Sequence, residues 1–93
     1  MTISCDAGRC LVQGPVTMNN VTQVLEESTR VFQGTEVIVD LSGVTEVDSA
    51  AVSLLLEWRR QAAAANRRIE YTNVPSNLRS LADLYGVAGL LVS

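Results

Sequence analysis

Apolar and polar positions alternate at the start of the chain. Ile3, Cys5, Cys10 and Val12 share one face of an extended segment; Thr2, Ser4, Asp6, Arg9 and Gln13 share the other. A break containing Gly8 separates residues 2–6 from 9–13, which predicts a β-hairpin whose second strand ends at Gly14-Pro15. The period then lengthens. Met18, Val21, Val24, Leu25, Val31 and Phe32 form the stripe of a helix over residues 18–32, capped by Thr17 and stopped by Gln33-Gly34. In residues 37–41, three consecutive β-branched side chains predict a central strand covered on both faces. A loop over residues 42–47 leads to Asp48-Ser49, where a long helix starts and runs to residue 65. Residues 69–72 form a short strand, Asn73-Val74-Pro75 turns the chain, and a helix over residues 77–85 follows Ser76 and stops at Gly86. The tail from Val87 to Ser93 is apolar but too short to assign.

The order is β-β-α-β-α-β-α, which predicts an α/β fold: an N-terminal hairpin, then alternating helices and strands, in a mixed sheet with helices packed on it. The 93 residues suffice for one modest core, so the expectation is a single domain over residues 1–93. With only four aromatic residues (Phe32, Trp58, Tyr71 and Tyr85), that core must be built from Val, Leu, Ile and Ala.

Charge narrows the partners. A net charge of −3 argues against nucleic acid, which needs a basic surface. All seven cations are arginines, and the pairs Arg59-Arg60 and Arg67-Arg68 read as a solvated helix face. No apolar run approaches the ~18 residues that span a bilayer, so no direct membrane insertion is expected. The first residues lack the basic-then-apolar pattern of a signal peptide, and the cytoplasm is the expected compartment. The hairpin sets Cys5 and Cys10 opposite each other on one face, close to disulfide geometry; in a cytosolic chain they are expected as reduced core thiols. Two cysteines without a histidine make a poor zinc site.

The inventory for catalysis is thin. Without histidine or lysine the chain lacks the commonest general base, the Ser-His and Ser-Lys pairings and any Schiff base. Its six glycines are scattered, so no phosphate-binding loop forms. Asp40, Glu46 and Asp48 gather near the end of the central strand and have the chemistry to hold magnesium. Turn chemistry and helix capping account for them more simply. The expectation is therefore no enzyme, no metal, no cofactor and no small-molecule substrate.

The informative segment is the long helix. Ala51, Leu54, Leu55, Trp58 and Ala62 cluster on one side; Val52, Leu56 and Ala63 extend the arc, and Ser53, Glu57, Arg60 and Gln61 fill the rest. The apolar arc spans roughly 200°, whereas a helix lying on a sheet needs a stripe only somewhat over about 100° wide. Leu81 or Leu84 covers part of the excess, and the remainder is expected to form a partner surface. At the head of this helix, Ser49 has two readings. It is an N-cap, or it is a contact point or phosphorylation site at which phosphate would be favoured by the helix dipole and repelled by Asp48. Tyr85 lies on the core-facing stripe with Leu78, Leu81 and Ala82, so its ring is expected to be buried; Leu84 lies off that stripe.

The block from Val37 to Ala51, in which a strand ending Asp40-Leu41 leads to Asp48-Ser49 at a helix start, resembles the signature of STAS domains. The element order resembles them too, over essentially the whole chain. Anti-sigma-factor antagonists of this family carry Asp-Ser-Ser-Gly here and are phosphorylated on the second serine. In this sequence that position is Ala50 and the glycine is Ala51, so only Ser49 remains for a phosphorylation switch. The single Ser after Asp48, Leu54-Leu55-Leu56 and Leu81-Ala82-Asp83-Leu84-Tyr85 look more like the STAS subunit (MlaB-like) of Mla phospholipid ABC transporters. That resemblance implies a non-catalytic cytoplasmic accessory subunit. It would bind the ATPase subunit, sit at the inner membrane through a permease, and serve phospholipid transport and outer-membrane lipid asymmetry. It also implies a partner surface of Asp48, Ser49, Ala50, Val52, Ser53, Leu56, Leu84 and Tyr85. Some members have a glycine pair where Ala50-Ala51 stands, which bears on how closely a partner approaches.

Overall fold

A computed structural model describes residues 3–87 and Gly89. The elements are β1 (Ile3–Asp6), β2 (Arg9–Val16), α1 (Val21–Val31), β3 (Glu36–Val47), α2 (Ser49–Ala64), β4 (Arg68–Thr72) and α3 (Ser76–Leu84). The strands lie in the order β1-β2-β3-β4, with β1 antiparallel to β2 and the other pairs parallel. This is the mixed α/β sheet that the alternating pattern predicts.

The hairpin turns on Ala7 and Gly8, both at positive φ (52° and 84°), the backbone sense that matches the twist of the strands it joins. That turn sets Asp6 opposite Arg9, Cys5 opposite Cys10 and Ile3 opposite Val12. The cysteines are joined in a disulfide, which corrects the expectation of reduced core thiols. Cys10 is buried between β1 and β3, but Cys5 lies near the turn end of an edge strand and is exposed.

Gly14-Pro15 does not end β2. The ladder to β3 slips between Leu11 and Gln13 and again between Gly14 and Val16, so the proline, which has no N–H to give, falls at an irregularity. Residues 42–47 are accordingly strand and not loop, since Gly43, Val44 and Val47 pair with Gln13, Gly14 and Val16. The close approach depends on Gly43. A Cβ there would lie 2.9 Å from the Val12 carbonyl oxygen and 2.9 Å from Gln13 Cγ.

Helix α1 begins three residues later than the stripe suggests. Asn20 Oδ1 accepts from the Thr17 N–H at 2.9 Å, and the Val21 N–H donates to the Thr17 carbonyl at 2.9 Å. Thr17 therefore opens a turn and does not cap the helix, as local Asn hydrogen bonding competes with helix. Met18 belongs to that turn and is 75% exposed.

The helices cover one face of the sheet. Ile3, Cys10, Val12, Val37, Val39, Ile69 and Tyr71 share that face and are buried. Arg9, Leu11, Glu36, Ile38, Asp40, Arg68, Glu70 and Thr72 share the opposite one and are exposed or half-buried. The central strand is thus covered by helices on one face only among the described residues. Ile38 is flanked across the ladder by Arg9 and Glu70 and stays half-buried without a second helical layer.

Trp58 of α2 anchors the core. Its Nε1–H donates to Ser28 Oγ at 2.8 Å, Ser28 donates to the Leu25 carbonyl at 2.6 Å, and its ring lies 5.1 Å from that of Phe32. The Tyr71 hydroxyl, also buried, donates to the Leu55 carbonyl at 2.7 Å. Burial pushes its ionisation well above the ordinary phenol range, with the Arg59 guanidinium over its ring pulling weakly the other way. These bonds tie α1 and β4 to α2 and hold the long helix at one angle on the sheet.

Candidate functional site

The end of β3 delivers the chain to α2 through Asp48, whose extended backbone (φ −136°, ψ −167°) makes it the N-cap. One carboxylate oxygen accepts from the Ala50 N–H at 2.9 Å. The other accepts from the Met18 N–H at 3.0 Å and pins the β2–α1 turn to the head of α2. Asp48 thus does the capping that sequence alone left open between it and Ser49. Ser49 is the first helical residue, is exposed, and its hydroxyl has no hydrogen-bond partner among the described residues.

Below it, α2 displays the expected surplus. Ala51, Val52, Leu54, Leu55, Trp58 and Ala62 are buried, while Leu56 keeps 38% exposure and Ala63 is exposed. An open groove of about 430 Å³ runs beside this side of the helix, lined by Ser49, Val52, Ser53, Leu56, Tyr85 and Val87. Five of the eight residues expected at a partner surface therefore lie together around one groove. Leu84, next in sequence to Tyr85, is 75% exposed. Asp48 forms the structural base of the site, and Ala50, half-buried on the first turn of α2, is not part of the groove lining.

Tyr85 departs from expectation. Its ring is not buried with Leu78 and Ala82 but is 53% exposed, because α3 ends at Leu84 and Tyr85 is its C-cap, ahead of Gly86 at φ 72°. The Tyr85 N–H still donates to the Leu81 carbonyl at 3.1 Å, so the residue closes the last turn of α3 in phase, but there its ring lines the groove and not the core. The periodicity of α3 also misses Val87, which lies beyond the helix, and that of α1 misplaces Met18, which the turn at Thr17 exposes beside Asp48. The pair Asn19-Asn20 was the available signal for that turn. Apart from Val87 and Gly89, the apolar tail lies outside the described residues.

Because β3 runs on to Val47, Asp40 lies within the strand and not with Glu46 and Asp48 at its end, which corrects the expected grouping. Asp40 Oδ1 accepts from the Ser42 N–H at 2.9 Å and from Asn73 Nδ2 at 3.2 Å. These hydrogen bonds, led by Ser42 and assisted by the charge of Arg9, hold its carboxyl below the ordinary range. Glu46 is exposed, and among the described residues no cluster of three potential metal-ligating side chains forms. Chemically the site offers a free hydroxyl at a helix start above an apolar trough, an arrangement suited to binding a protein surface.

The sequence matches, over residues 4–93, the family model described as Mlab, STAS domain. The chain belongs to the STAS domain family. The fold of this STAS domain is that of the anti-sigma factor antagonist SpoIIAA in its unphosphorylated form, at TM-score 0.74 and 22% identity, covering 96% of this chain and 83% of that one. Two structures of Mglu also contain the fold, at TM-scores 0.63 and 0.53 and identities of 23% and 18%. They cover 82% and 75% of this chain but only 20% and 22% of theirs. No curated protein matches. Among the described residues no helix is long and apolar enough to cross a membrane.

Proposed function

We propose that this STAS domain is a non-catalytic accessory subunit that docks on the ATPase subunit of a phospholipid-transporting ABC complex of the Mla type. It would stabilise or regulate that ATPase and sit on the cytoplasmic side of the membrane through it. The observation that carries the reading is the groove beside α2, with an unpartnered Ser49 hydroxyl at its head and Leu56 and Tyr85 left open on its walls. The Mla wording of the matching family model and the single serine after Asp48 support the same partner. Apolar contacts along α2 would supply most of the affinity, with Ser49 and the Tyr85 hydroxyl fixing orientation at the centre.

A second reading is an anti-sigma-factor antagonist switched by serine phosphorylation. The SpoIIAA-like fold favours it, whereas alanine at the usual phosphorylated position weighs against it. Phosphate on Ser49 would sit at the positive end of α2 but beside the Asp48 carboxylate.

Co-purification from the native cell separates the two. The transporter reading expects an ABC ATPase and its permease with the wild-type chain, and ~10-fold or greater loss of both with Ser49→Arg at unchanged melting temperature. Stoichiometric phosphorylation of Ser49 by a cognate kinase, together with recovery of a kinase-like regulator, would replace it with the antagonist reading.

A further inference from the structure

At the opposite end of β2 from the Ser49 groove, the Cys5–Cys10 disulfide forms part of the wall of a second cleft. This cleft, of about 460 Å³, is lined by the turn residues Asp6, Ala7 and Gly8, by Arg30, Val31 and Gln33 from the end of α1, and by Val37. Its volume falls within the ~300–1,000 Å³ of small-molecule sites, and it opens to solvent. The two residues differ in exposure. Cys10 is 1% exposed, whereas Cys5 belongs to an exposed residue on the edge strand. Arg30, an exposed residue, brings a guanidinium to the lining that has no ion-pair partner among the described residues, and Asp6 is the other charged group there. Besides the bridge, β1 is held by Ile3, which pairs opposite Val12 and donates its N–H to Glu27 Oε2 at 3.2 Å.

We propose that the Cys5–Cys10 pair is a reversible thiol–disulfide exchange site, entered from this cleft by a low-molecular-weight thiol that attacks Cys5. The incoming thiolate forms a bond to Cys5 Sγ, and the bond between the two cysteine sulfurs breaks with its electron pair on Cys10 Sγ, which takes a proton from water. A second thiolate then attacks the sulfur of the first thiol in the mixed disulfide. It forms the external disulfide and releases Cys5, which is protonated in turn. The protein pair gains two electrons and two protons, and two external thiols are oxidised to one disulfide; the external disulfide drives the reverse. Arg30 favours the approach of an anionic thiol, and burial of Cys10 directs attack to Cys5.

The test uses the native, oxidised chain and glutathione as probe, with alkylation and peptide mapping. The expected result is loss of the Cys5–Cys10 bridge in reduced glutathione with far-ultraviolet circular dichroism unchanged, and its return in oxidised glutathione. In Cys10→Ser the glutathione adduct should accumulate on Cys5, and Cys5→Ser should be modified at Cys10 about tenfold more slowly, or not at all. Reduction only in denaturant, equal reactivity of the two positions, or two thiols that stay unpaired in oxidised glutathione would each overturn the proposal. The wild-type arm decides the matter even if a variant fails to fold.

Discussion

At the residue scale, two aspartates shape β3 and its exit: Asp40 within the strand, and Asp48 where the chain enters α2. Asp48 satisfies a free N–H of its own helix and one from the β2–α1 turn, which leaves Ser49 with an unused hydroxyl at an exposed helix start. Asp40 holds the bend at Ser42, and its depressed ionisation has a sign that can be checked. A carboxyl whose folded value lies below its ordinary 3.8 adds stability above that pH and loses it as the pH falls through the folded value. Asp40→Asn should therefore unfold more readily than wild type in denaturant at neutral pH. The gap should close in strong acid, as chemical denaturation at a series of pH values would show. The identity of these residues was legible in the sequence, but their division of labour was not. Either Asp48 or Ser49 has a side chain able to cap, and only the extended backbone of Asp48 decides between them. The exposure of Tyr85 was hidden because its spacing is in phase with Leu78 and Ala82, while α3 ends at this position and the ring meets the groove instead of the core.

At the scale of elements, α2 was the most readable segment, because its start, length and excess apolar arc all follow from residue types at helical spacing. Its predicted surplus is what stands open at Leu56 and along the groove. The long strand β3 was only half readable. Polar Ser42, Thr45 and Glu46 and the glycine between them look like a loop, yet Gly43, Val44 and Val47 pair with β2, the Asp40 carboxylate takes the Ser42 N–H, and this outweighs local propensity. Gly43 is where that pairing is most exacting. Gly43→Ala would force a Cβ against the Val12 carbonyl, so it should lower stability by about 2–3 kcal/mol, read as a reduced denaturation midpoint at an unchanged slope. A neutral result would mean that β2 and β3 separate at little cost beside the site.

Across the whole molecule, a single layer of helices on a four-stranded sheet leaves two distinct ends. One holds the hairpin disulfide and its cleft; the other holds the α2 start, the α3 end and the β2–α1 turn. The sheet order and the position of the core follow from the alternation of elements. The open sheet face did not, because Val37, Ile38 and Val39 read as buried on both sides until their polar neighbours across the ladder are known. The account rests on the α2 end being the docking face. Amide hydrogen exchange of this chain, alone and mixed with the ABC ATPase proposed as its partner, tests that claim most directly. Slowed exchange over residues 49–56 and 84–87, with β1 and the open sheet face unchanged, is the predicted footprint. Protection concentrated on β1 and the open face, with residues 49–56 exchanging as in the free chain, would contradict it.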